Sequence, residues 1–107
     1  MKLCKVTAII REERSAAVER RLRQVGVPGV SCTQVRGYGE YADYYCDDLQ
    51  VTHARFEIFV PQQQVQTIVE AVMEEARTGT SGDGIIAVLP VEHLYHVRDG
   101  TDLAAGD

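Results

Sequence analysis

A chain of 107 residues, 45% apolar and 25% charged, has an ordinary globular balance rather than a disordered one, and its length argues for one domain and against two. Eleven Lys and Arg against 16 Asp and Glu give a net charge of −5, whereas a nucleic-acid module usually carries a basic surplus. No apolar run approaches the ~20 residues of a membrane span. The opening MKLCKVTAIIREERS turns charged without a small-residue cleavage site, which argues against a signal peptide. Cys4, Cys32 and Cys46 are odd in number and widely spaced, so they suggest neither a disulfide framework nor a CxxC motif. The expectation is an acidic cytoplasmic domain with free thiols.

Residues 3–10, LCKVTAII, are β-branched and loosely alternating, which predicts a strand. Over residues 12–25, Val18, Leu22 and Val25 share one helical face, and Gly26 with the following VPGV ends that helix. Val30, Cys32 and Val35 suggest a second strand over 30–38, broken by GYG at 37–39. EYADYYCDDLQ, residues 40–50, is acidic, aromatic and without a period, as in an exposed loop. From 51 to 60 the alternation is clear: Ala54, Phe56, Ile58 and Val60 point one way, His53, Arg55 and Glu57 the other.

The firmest helix signal follows. Val65, Ile68, Val69, Val72, Met73 and Ala76 keep i, i+3, i+4 spacing, with Pro61 near the start and Gly79 just past the end. TGTSGDG at 78–84 is a glycine-rich turn. IIAVLP, 85–90, is apolar throughout and reads as a strand buried on both faces. A last short strand is expected around Leu94–Arg98. Cys4 and Cys32, both within strands, are expected to be small buried hydrophobes. The order β-α-β-β-α-β is the split βαβ pattern of the α+β, ferredoxin-like sandwich, here with a short extra C-terminal strand. Residues 1–100 form the domain and 101–107 a short acidic tail. Two helices cover one face of such a sheet, so the other face, with Phe59, needs a partner.

Several residues carry candidate chemistry. In Gly82–Asp83–Gly84, small residues let backbone N–H groups converge on a phosphate, although a helix C-cap with a tight turn explains the same sequence. Cys46, Asp47, Asp48 and His53 lie close in sequence and, with His93 and His96, suit soft or borderline ions, but their spacing fits no standard metal site. Cys46 and His53 are the metal candidates, against a solvated acidic loop. No GxSxG motif and no Cys–His–acid grouping supports nucleophilic catalysis, so a non-enzyme is expected.

The segment TGTSGDGIIAVLPVEHLYHVR, with GVPGVSCTQVRGYG and RFEIFVP upstream in the same order, resembles the PII signal-transduction proteins over residues 1–100. The resemblance implies a trimer that binds an adenine nucleotide between neighbouring protomers and docks on a target, a membrane transporter or an enzyme, through the loop joining strands two and three. By that register Ile9, Ser31 and Phe59 stand near the base, and Gly37, Tyr38 and Gly39 start the loop beside the nucleotide. His53, Gly82, Asp83, Gly84, His96 and Arg98 stand near phosphates.

Three basic positions depart from the family pattern. Ile85 stands where the family has Lys, His53 replaces another Lys, and His96 replaces the first of two arginines, Arg98 being the second. A guanidinium stays charged, whereas an imidazole ordinarily titrates near neutrality. Tyr41 replaces a glutamine that helps hold Mg²⁺. ADP or AMP is therefore expected over ATP with magnesium. The docking loop, with Tyr41, Asp43, Tyr44, Tyr45, Cys46, Asp47 and Asp48, is shorter than usual. Tyr44 and Tyr45 do not align with the tyrosine that is nucleotidylated in some members. The pattern looks like a divergent branch associated with heavy-metal efflux or other transport. The rival readings are a metal-binding sensor and an assembly module with a decayed nucleotide site.

Overall fold

The computed structural model describes residues 2–38 and 51–105. The loop candidates Gly39, Tyr41, Asp43, Tyr44, Tyr45, Cys46, Asp47 and Asp48 lie outside the described residues. Four strands and two helices follow in the expected order: β1 (Leu3–Arg11), α1 (Ser15–Gln24), β2 (Ser31–Gly37), β3 (Val51–Pro61), α2 (Val65–Ala76) and β4 (Gly84–Val91). The sheet runs β2-β3-β1-β4 with every neighbouring pair antiparallel. The chain therefore crosses the sheet twice through a helix, as the split βαβ pattern requires.

Strand alternation sorts the sheet into two faces. Val6, Ala8 and Ile10 of β1 and Ala54, Phe56, Ile58 and Val60 of β3 turn to the helices, and each is at most 2% exposed. Val18 and Leu22 of α1 and Ile68, Val72 and Ala76 of α2 complete this core, at helical spacings that keep them on one stripe. Helix α1 stops where glycine permits it to. Gly26 adopts φ +91°, Val27 N–H donates to the Leu22 carbonyl at 3.0 Å and Gly26 N–H to that of Arg23 at 3.1 Å. That pair of bonds is the Schellman arrangement, and Val27 packs with Leu22 in the core beneath it. Outside the core, Arg21 bridges to Glu74 at 2.7 Å and to Glu75 at 3.1 Å, and Arg14 Nε donates to the Glu75 carbonyl at 2.6 Å. Such exposed pairs fix how α1 lies on α2 more than they add stability.

Four expectations need correction. β4 is not buried on both faces: Ile85 is 42% exposed and Val88 and Leu89 are each 46% exposed. Among the described residues the strand lies at the sheet edge with β1 as its one neighbour, so the unbroken apolar run there leaves part of its surface exposed. Cys32 is exposed while Cys4 is buried, because β2 is the other edge strand. Met73 lies outside the core and lines a cavity of about 170 Å³ between α2 and β4. The expected strand Leu94–Arg98 is reduced to one antiparallel bridge between Tyr95 and Asp102, with a turn at 97–99.

The packing predicts a sharp contrast between two positions. Phe56→Ala removes a ring that is 1% exposed at the centre of the helix-covered face and should cost about 3–5 kcal/mol. Met73→Ala should cost below about 1 kcal/mol. Urea unfolding of both variants measures the difference, and comparable losses would place the core elsewhere.

Candidate functional site

Residues paired across antiparallel strands share a face, so the register lays out the uncovered side of the sheet row by row. One row is Val35, His53 and Arg11, and the next is Thr33, Arg55, Ile9 and Ile85. Ser31, Glu57, Thr7 and Ala87 follow, then Phe59, Lys5 and Leu89. This face is charged at its middle and apolar around it. Lys5 bridges to Glu57 at 2.9 Å and Arg55 to Glu57 at 2.5 Å. The Lys5 bond first, then the Arg55 contact, lowers the Glu57 pKa. The Lys5 ammonium also stands 6.0 Å from the centre of the Phe59 ring.

At the β2 edge, Ser31 and Phe59 line a single open cleft of about 340 Å³ with Pro28, Gly29, Val30 and Glu57. Ile9 is half-buried between Arg55 and Ile85. Gly37 ends β2, and Tyr38 beyond it is 72% exposed. His53 is on the expected face, yet it is 1% exposed, so it is a buried side chain rather than an outward one.

At the β4 edge, the glycine-rich turn is organised around the Asp83 carboxylate. One oxygen accepts from Thr78 N–H at 2.8 Å and Gly79 N–H at 2.9 Å. The other accepts from the Thr78 hydroxyl and from Arg11 Nε, the latter at 3.1 Å. Partial burial by itself would raise the Asp83 pKa, but the bonds from Thr78, Gly79 and Arg11 outweigh it and hold the group well below the usual carboxylate range. Arg11 Nη2 also donates to the Ser81 carbonyl at 2.6 Å and to the Thr80 hydroxyl at 3.0 Å. The Ser81 and Gly82 N–H groups make no hydrogen bond among the described residues. Gly82 and Gly84 both have positive φ, +95° and +112°. Gly84 is required twice over, because a Cβ there would lie 1.9 Å from the Ile9 carbonyl oxygen.

The structure thus brings Ser31 together with Phe59, and Gly82, Asp83 and Gly84 together with β1. It does not bring those two groups to each other. Strands β3 and β1 separate the two edges, three strand spacings or about 14 Å. His96 and Arg98 are exposed on the segment after β4. That segment is tied by Asp102, which accepts from His93 Nδ1 at 2.8 Å, Ala104 N–H at 2.9 Å and Leu94 N–H at 3.1 Å. The His93 bond leads the lowering of the Asp102 pKa. Among the described residues no group of three or more His, Cys, Asp or Glu is placed to hold a metal, and Cys46 lies outside them. No helix among the described residues is long and apolar enough to cross a membrane.

Sequence reasoning missed Arg11. Alternation assigns it to the uncovered face at the end of β1, but its partner Asp83 is 72 positions away in the chain. A partly buried acid in a tight turn does call for a counter-charge, and the sheet register supplies its identity.

A one-sided four-stranded sheet, with a turn closed by a carboxylate at one edge and an open cleft at the other, defines a small α+β domain of the ferredoxin-like class. The chain belongs to the family described as Nitrogen regulatory protein P-II, whose family model matches residues 3–101. It is 36% identical over 107 residues to the Nitrogen regulatory protein P-II of Pasteurella multocida, covering 92% of this chain and 94% of that protein. It is also 36% identical to the P-II homolog of Arabidopsis thaliana and 35% identical to that of Oryza sativa. Those matches cover 92% and 90% of this chain but 55% and 49% of the plant proteins, so the chain spans about half their length. A crystal structure of Arabidopsis thaliana PII bound to citrate matches with a TM-score of 0.79 and 38% identity, over 94% of this chain and 85% of that one. Members of the family are trimeric regulatory proteins rather than enzymes, and they bind small-molecule effectors and partner proteins.

Two measurements check the turn. Gly84→Ala should lose about 3 kcal/mol or more, since the backbone must move away from Ile9. Asp83, with its folded pKa lowered, contributes stability that is present above about pH 4 and lost as pH falls below it. Asp83→Asn should therefore flatten the fall in the urea midpoint between neutral and acid pH. An unchanged acid slope in that variant would contradict the assignment.

Proposed function

We propose that this chain is a signalling regulator that binds an adenine nucleotide between copies of a trimer and acts on a partner protein through the loop over residues 40–50. The observation that carries this reading is the separation of the two half-sites. The cleft of Ser31 and Phe59 is at the β2 edge and the turn of Gly82–Gly84 at the β4 edge. A β2 edge of one copy set against the β4 edge of the next puts both beside one ligand. Those edges are different surfaces, so the contact is head-to-tail, and repeating it with the rotation of a trimer closes a ring. Exposed Phe59, Ile85 and Leu89 on the uncovered face supply apolar area for the same assembly.

In this arrangement Ser31, Ile9 and Phe59 serve the base, with Gly37, Tyr38 and Gly39 beside it. The phosphates meet the free N–H groups of the turn, and Arg98 and His96 add polar contacts. A guanidinium and backbone N–H groups suit one or two phosphates. Ile85, next to the turn and 42% exposed, adds no cation for a third. The effector is therefore ADP or AMP ahead of ATP with magnesium. The acidic, aromatic loop, with Tyr41, Asp43, Tyr44, Tyr45, Cys46, Asp47 and Asp48, is the element offered to the partner, a membrane transporter, from the cytoplasm.

Calorimetry and sedimentation test the reading together. ADP and AMP should bind at least as tightly as ATP, and magnesium should change the affinities little. Tight binding of ATP only with magnesium would reverse the preference. Sedimentation should give a mass near three chains at micromolar concentration. A stable monomer would rule out a site shared between copies.

A further inference from the structure

We infer that Arg11 is a positioning residue of the anion site: by neutralising Asp83 and anchoring the Ser81 carbonyl, it makes an acid-bearing turn able to accept a phosphate. This rests on the proposal that the turn binds the phosphates of a nucleotide. The difficulty it resolves is electrostatic. Asp83 is held as a carboxylate at the centre of the segment assigned to an anion, and two negative charges a few ångströms apart repel strongly in a partly desolvated site. An acceptor oxygen at this position cannot be dispensed with. The Asp83 oxygens accept the N–H groups of Thr78 and Gly79 and the Thr78 hydroxyl, the bonds that close the turn. The cation opposed to it among the described residues is Arg11, whose side chain is 16% exposed and forms the 3.1 Å bridge.

The second effect is geometric. Nη2 of Arg11 draws in the Ser81 carbonyl at 2.6 Å. Across a trans peptide the carbonyl and the following N–H point in opposite directions, so this bond directs the Gly82 N–H away from Arg11. Among the described residues Ser81 N–H and Gly82 N–H, the latter at a buried position, are donors for which no hydrogen bond is made. One guanidinium thus cancels the charge that would repel an anion and orients a donor that would bind it.

The test is ADP and pyrophosphate binding by calorimetry to the full chain and to Arg11→Gln, Arg11→Lys, Asp83→Asn and the Arg11→Gln/Asp83→Asn double variant. Circular dichroism and sedimentation of each variant control for folding and assembly. Arg11→Gln should weaken both ligands by roughly tenfold or more, and increasingly so at low ionic strength, while Arg11→Lys keeps most of the affinity. The double variant should recover most of the loss. Its neutral amide oxygen can still accept from Thr78 and Gly79, and its NH2 can face the Thr78 hydroxyl. Arg11→Gln binding like the wild type overturns the inference while leaving the nucleotide reading intact. A loss in Arg11→Gln that Asp83→Asn does not rescue overturns it as well, since charge cancellation is then not the role. Failure of the wild type to bind either ligand overturns the nucleotide reading, and the inference falls with it.

Discussion

A sheet covered on one face only is the constraint from which the other properties of this chain follow. Helices α1 and α2 bury the inward side chains of β1 and β3 almost completely, with Phe56 and Ile58 at 1% and 0% exposed. Among the described residues no helix meets the opposite face. Water disfavours the apolar part of that face, and the loss is recovered only by burial against another surface. The charges there are already matched, Lys5 and Arg55 against Glu57, so covering them strands no isolated acid. A face with paired charges at its middle and Phe59, Ile85 and Leu89 around them is suited to being covered. The trimer proposed for this chain would supply that cover.

The glycine-rich turn illustrates how one residue type can hold two meanings. The aspartate of Gly82–Asp83–Gly84 reads in sequence as part of a ligand site, but its carboxylate is spent on the turn itself, through Thr78, Gly79 and Arg11. The glycines differ from it in kind. Gly84 is fixed by steric necessity, since β4 starts against the Ile9 carbonyl, and Gly82 by its positive φ. Backbone requirements and room for an anion would therefore select the same two glycines, Gly82 and Gly84, while the aspartate between them serves the turn.

How much of this was legible depended on whether the cause was local. The spacing of Val65, Ile68, Val72 and Ala76 and the alternation of Ala54, Phe56, Ile58 and Val60 are local patterns, and α2 and β3 formed where they predict. Gly26 stops α1 for a reason written in the neighbouring residues. Errors arose where the cause lay elsewhere in space. The apolar run 85–90 cannot say whether its strand is central or at an edge, and Cys32 cannot say that β2 is an edge strand among the described residues. Leu94–Arg98 alternates like a strand, yet its backbone finds only the Tyr95–Asp102 bridge. Arg11 is the clearest case, a charged strand end whose role appears only when β1 and β4 are laid side by side.

The same separation of local from distant causes governs the candidate site. Within one chain, Ser31 and Phe59 are joined by a cleft and Gly82–Gly84 by a carboxylate, each a self-contained half. Nothing in the covalent chain couples the two halves, because β1 and β3 hold them apart at a fixed sheet spacing. On the proposed reading a ligand bridging two copies therefore binds and cross-links in one act, so occupancy and ring stability become thermodynamically linked. A ligand that touches only one half would gain no such linkage. Sensitivity to a small effector then needs no moving part inside the protomer. It follows from placing half of a site on each edge of a rigid sheet.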